Sequence, residues 1–80
     1  MADVKDTVLD YLRSNVIRDQ RIGYDTPLIT SGFVHSLEMA GVKSYLESRY
    51  RIKIPDELAT PQAFDSVDNI TRLLNKLGVR

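Results

Sequence analysis

Ser36-Leu37-Glu38-Met39-Ala40-Gly41-Val42-Lys43-Ser44-Tyr45-Leu46-Glu47-Ser48-Arg49-Tyr50 reads as one amphipathic helix. At about 100° per residue, Met39, Val42, Leu46 and Tyr50 fall on one side, which predicts a core stripe. Leu37, Gly41, Ser44 and Ser48 fall on another side, a strip that is small and uncharged. The flanking Glu38, Lys43, Glu47 and Arg49 carry both signs.

Two further helices are predicted on either side of this one. Val4, Val8, Tyr11 and Leu12 recur at helical spacing, which predicts a first helix over about Asp3–Asn15. Asp3 stands where a cap is expected, and Asp6 lies near the positive helix end. Val67, Ile70, Leu73, Leu74 and Leu77 predict a last helix starting near Asp65 or Ser66, closed by Gly78. The connection from about Val16 to His35 is long for a compact domain, which favours a functional or disordered segment. Its apolar Val16, Ile17, Ile22, Leu28 and Ile29 predict an ordered loop pinned to the core. Thr26-Pro27 opens a single helical turn there, and Gly32 is a natural stop. Arg51-Ile52-Lys53-Ile54-Pro55 alternates polar and apolar, but no other segment reads as its partner strand, so it is an extended connector. Thr60-Pro61 opens another short helical turn. The pattern defines an all-α bundle of three main helices.

The 80 residues set one small domain, 1–80, with a thin core. So little protein favours a binding, carrier or interaction role over autonomous catalysis. Eleven Lys plus Arg balance eleven Asp plus Glu, so no overall charge draws the domain to nucleic acid or an anionic membrane. The chain has no Cys, which excludes disulfides and thiolate metal sites. No apolar run approaches the roughly 20 residues of a membrane span. Met1-Ala2-Asp3-Val4-Lys5-Asp6 lacks the start of a signal peptide. A soluble, cytoplasmic monomer is expected.

Gly32-Phe33-Val34-His35-Ser36-Leu37-Glu38 is the stretch most able to carry chemistry. It puts a serine at the start of a helix after a long loop. A helix N-terminus offers unpaired N–H groups and a partial positive charge, which favour a phosphate bonded there by about 0.3–1 kcal/mol. On spacing alone, the plain helix cap is the favoured reading of Ser36.

The ordered set of motifs resembles the acyl and peptidyl carrier protein family. Leu28-Ile29, Ser31-Gly32 and Ser36-Leu37 match the entry to that family's second helix. Leu46-Glu47, Tyr50, Ile52, Ile54-Pro55-Asp56-Glu57 and Phe64-Asp65-Ser66-Val67-Asp68-Asn69-Ile70 continue its pattern over nearly the whole chain. The resemblance implies a four-helix carrier-protein bundle with a short third helix and a long loop between the first and second helices. It implies that Ser36 receives 4′-phosphopantetheine from coenzyme A through a phosphopantetheinyl transferase using Mg²⁺. The arm's thiol would hold an acyl group as a thioester, or an aminoacyl or peptidyl group in a related carrier. A loading ligase and downstream synthase or transferase enzymes would be partners, and the domain itself would not be an enzyme. An unmodified helical interaction module is the alternative from another class.

Two departures from the family stand out. The usual Asp-Ser-Leu is here His35-Ser36-Leu37, and histidine supplies no carboxylate to Mg²⁺, which prefers oxygen ligands. General transferases are therefore expected to act slowly, or a dedicated one to exist. The strip that is acidic in fatty-acid carriers is here Leu37, Gly41, Ser44 and Ser48, with no acid. Charge complementarity mainly sets on-rate and partner choice. A dedicated polyketide, nonribosomal peptide or aminoacyl pathway is expected, with His35, Leu37, Gly41, Ser44 and Ser48 as docking residues.

Other signals carry less. His35 and Ser36 do not make a nucleophile and base, since neighbours at a helix start usually point apart and no orienting group is evident. Asp56, Glu57, Asp65 and Asp68 lack the glycine and spacing of a calcium loop and read as capping or surface carboxylates. Arg49, Arg51 and Lys53 read as a solvated helix end or a contact for an acidic partner. Tyr11, Tyr24, Tyr45 and Tyr50 read as core or rim packing more readily than as an acyl pocket.

Overall fold

Three α-helices carry the fold of the computed structural model, which describes residues 3–17 and 22–79; the Ser36 side chain lies outside the described residues. Met1, Ala2 and Arg80, included in the expected domain 1–80, also lie outside, as do residues 18–21 of the expected first connection. α1 is Val4–Tyr11, α2 is Ser36–Tyr50 and α3 is Val67–Lys76. No strand occurs among the described residues.

The first helical segment departs from the expected Asp3–Asn15. α1 gives way to a π-helical turn over Leu12–Val16, in which the Ile17 N–H donates to the Leu12 carbonyl at 2.7 Å. Widening the turn brings residues five apart onto one side. Leu12, at the start of the turn, is buried, and so is Ile17, which follows it with extended backbone (φ −119°, ψ 122°). Asp3 takes the N-cap position with extended backbone, but its side chain makes no capping hydrogen bond. Asp6, in the first turn as expected, accepts a hydrogen bond from the Tyr24 hydroxyl instead.

α2 runs over the predicted residues and buries Val42 and Leu46. Met39 and Tyr50 at the ends of the stripe are half-buried. The helix stops at Arg51, which adopts the left-handed conformation (φ 54°) that usually belongs to glycine at this place. Residues 52–55 then form neither helix nor strand, and Ile54 is fully buried.

Between α2 and α3 the only helical element is a 3₁₀ turn, Gln62–Phe64. Pro61 stands at its N-cap position, and three residues are too few to repay the cost of nucleating an α-helix. α3 is capped by Ser66, whose hydroxyl accepts from the Asn69 N–H at 3.0 Å. Gly78 follows its end with φ 91°, in the closing position expected for it.

α1 packs on α3 through Val4, Val8 and Leu9 against Val67, Ile70, Leu73 and Leu74. Tyr11 stacks flat on Tyr45, with ring centroids 3.8 Å apart and planes 6° from parallel, which joins α1 to α2. Ile17, Ile22 and Leu28 of the first connection are buried as predicted. Leu9, Val34 and Val79 are also buried, although none belongs to a predicted stripe.

Candidate functional site

The start of α2 is assembled from three segments. His35 has the extended backbone of an N-cap (φ −83°, ψ 154°), and Ser36 is the first helical residue. The cap position therefore belongs to His35, and a plain capping role does not account for Ser36. The Glu38 carboxylate reaches back to accept the His35 N–H at 3.1 Å. The helix leaves the N–H groups of Ser36 and Leu37 without helical partners.

The loop leading into α2 is held in place by Asp65. Its carboxylate accepts the N–H groups of Ile29 and Thr30 at 2.8 and 2.9 Å and the Thr30 hydroxyl at 2.6 Å. Its carbonyl accepts the Leu28 N–H at 2.6 Å. The Thr30 hydroxyl, followed by the Thr30 and Ile29 N–H groups, holds the Asp65 carboxyl below its ordinary pKa. The loop closes on itself where Val34 N–H meets the Leu28 carbonyl at 2.9 Å and Ser31 hydroxyl bonds Pro27. Gly32 there takes φ 88°, a left-handed turn that a Cβ would strain. Farther upstream, Arg13 donates to the Ile22 carbonyl at 2.7 Å, and Asp68 N–H meets the Tyr24 carbonyl at 2.9 Å.

Buried Val34 inserts into the core immediately before the helix, and its neighbours turn outward. Phe33 and His35 are exposed, and Leu37 is 89 % exposed, far more than any other large apolar side chain among the described residues. Gly41, Ser44 and Ser48 continue the exposed strip along α2. All five expected docking residues are exposed, and Leu37, Gly41, Ser44 and Ser48 follow one another along one face of α2. A Cβ built on Gly41 meets nothing within 4 Å. Gly41→Ala is therefore expected to raise stability by about 0.5–1 kcal/mol, the usual gain over glycine in a helix interior, read by urea unfolding.

A groove of about 230 Å³ lies beside α2, lined by Met39, Ala40, Lys43, Asp56, Ala59 and Phe64. Met39, Ala40 and Lys43 follow Ser36 at spacings of three, four and seven, so the groove runs along the helix face that begins at Ser36. Lys43 and Asp56 pair across it at 3.0 Å, which raises the lysine pKa and lowers the aspartate's. A second groove of about 140 Å³ is lined by Ile29, Thr30, Pro61, Gln62 and Asp65.

The expected surface carboxylates have separate roles. Asp65 is a loop clamp, Asp56 is the partner of Lys43, and Asp68 sits in the first turn of α3. No group of three or more His, Asp or Glu able to hold a metal ion occurs among the described residues. None of the four tyrosines lines either groove. Asp65 was legible only as an acid near a helix start, and nothing local marks its partners 35 residues away. No described helix is long and apolar enough to cross a membrane. No family model matches the chain, and no curated protein matches it.

Proposed function

We propose that the domain is a freestanding carrier that holds an acyl intermediate as a thioester on a 4′-phosphopantetheine arm at Ser36. The observation that carries this reading is the start of α2. Ser36 is the first residue of a 15-residue helix, follows a loop clamped by Asp65, and stands between exposed His35 and Leu37. Free N–H groups and the helix dipole suit a phosphodiester there. The exposed flanks suit an enzyme that must reach the serine. The three helices with a 3₁₀ turn before the last are compatible with the four-helix carrier arrangement and its long first loop. The groove along Met39, Ala40 and Lys43 supports a sheltered position for a short cargo. A phosphopantetheinyl transferase, a loading ligase and downstream synthase enzymes would meet the Leu37–Ser48 strip, in a dedicated polyketide or nonribosomal pathway.

The test is intact mass after incubation with coenzyme A, Mg²⁺ and a broad-specificity phosphopantetheinyl transferase. A gain of one phosphopantetheine supports the carrier reading. No gain by the parent or by His35→Asp, beside a working control carrier, points to the unmodified interaction module. His35→Asp is expected to speed modification about tenfold or more, because it restores an oxygen ligand for Mg²⁺. Equal rates for parent and variant would remove any handicap from His35. The same change installs a preferred N-cap, so it should also add about 0.5–1 kcal/mol of stability, measured separately by unfolding.

A further inference from the structure

The far end of α2 carries a positive patch. Arg49, Arg51 and Lys53 lie within five residues that contain no acid, and all three are exposed. The whole chain is neutral, so the remaining residues hold three more acids than bases. Charge is therefore segregated, although the total gives no sign of it.

Two acids close to the patch in sequence, Glu47 and Asp56, are already engaged. Glu47 accepts the Ile54 N–H at 2.8 Å, which ties the connector back to the helix. Asp56 feels the charge of Lys53 but is bonded to Lys43 at 3.0 Å. Among the described residues none of the three cations forms an ion pair. The Arg49 guanidinium lies over the Tyr50 ring, 5.8 Å from its centroid. Arg51 projects from a left-handed backbone position that glycine would occupy with less strain.

From these observations we infer that Arg49, Arg51 and Lys53 form a docking patch for an acidic segment of a partner protein. Two arginines favour carboxylates because each guanidinium can grip one with two hydrogen bonds. A nucleic acid fits less well, since typical complexes neutralise about six to ten phosphates and the rest of this surface is net negative. The patch stands about 22 Å along the helix from Ser36, at 1.5 Å per residue. An acidic partner could therefore hold this end of the domain without covering the other.

The test compares three proteins for binding to a fluorescent 12-residue glutamate-rich peptide and to a 12-residue oligothymidylate, at low and physiological salt. They are the parent, Arg49→Gln/Arg51→Gln/Lys53→Gln, and Lys5→Gln/Arg72→Gln/Lys76→Gln. Both triples remove the same charge from exposed positions, and circular dichroism checks their folds. The patch triple is expected to weaken peptide binding at least tenfold, and the control triple less than twofold. Binding should fall as salt rises. Absent peptide binding by the parent, or equal losses in both triples, would overturn the proposal. Tighter binding of oligothymidylate through the patch would overturn it in favour of nucleic acid.

Discussion

Ser36→Ala is expected to abolish the gain of phosphopantetheine completely while leaving the fold intact. The transfer needs a hydroxyl to become the phosphodiester oxygen, and alanine has none. Nothing about helix formation should suffer, because the N-cap position is taken by His35 and alanine is the best helix former at the position after it. The expected change in melting temperature is a few degrees at most. Intact mass gives the first readout and circular dichroism on heating gives the second. Retained mass gain in Ser36→Ala would place the modification on another residue and remove Ser36 from its proposed role. Lost mass gain with a collapsed fold would instead mark Ser36 as structural. The two outcomes are separable because they are read by different measurements.

Asp65→Ala is expected to cost about 2–3 kcal/mol. Hydrogen bonds to a charged acceptor contribute about 1.5–3 kcal/mol each; of these three the Ile29 bond is part-buried and the two Thr30 bonds are exposed, so their sum is well below the full value. For a domain of this size the loss should lower the melting temperature by roughly 10–20 °C. Asp65→Asn, which keeps one carbonyl oxygen for the Ile29 and Thr30 N–H groups, should cost about half as much. The acid dependence follows from the lowered carboxyl pKa. A depressed folded-state pKa means that the stabilisation is fully present above the ordinary aspartate value near 3.9. It is lost as pH falls through the lower folded-state value. The stability gap between parent and Asp65→Ala should therefore narrow below about pH 4. A gap that stays constant between pH 7 and pH 3 in urea titrations would show that the carboxylate charge is not what holds the loop. Amide exchange at Ile29 and Thr30 should quicken in Asp65→Ala, since both donors lose their acceptor.

The two predictions meet at the same place. Asp65 lies at the entry to α3, yet it shapes the loop that delivers His35 and Ser36 to the start of α2. A modest loss of order in residues 28–34 would change the geometry that a transferase meets, even with α2 itself unchanged. The rate of modification of Asp65→Asn is thus a sensitive readout of how far loop order matters.

What could be read from residue order was what depends on neighbours within a turn or two. The bounds of α2, the exposed Leu37–Gly41–Ser44–Ser48 strip and the buried face of α3 all follow from 3.6-residue periodicity. Ser36 at a helix start was legible for the same reason, whereas its proposed chemistry rested on an ordered resemblance. The features decided by tertiary structure are those whose partners are distant. Asp65 meets Ile29 and Thr30 across 35 or 36 residues, and no local pattern encodes such a pairing. The π turn at Leu12–Val16, with Leu12 and Ile17 buried at its two ends, has no local sequence pattern that announces it. Val34 and Val79 are single apolar residues without a period, so only the packed core shows that they are inside. The groove beside α2 belongs to the same class, because its wall from Asp56 to Phe64 is placed by the fold and not by the helix it faces.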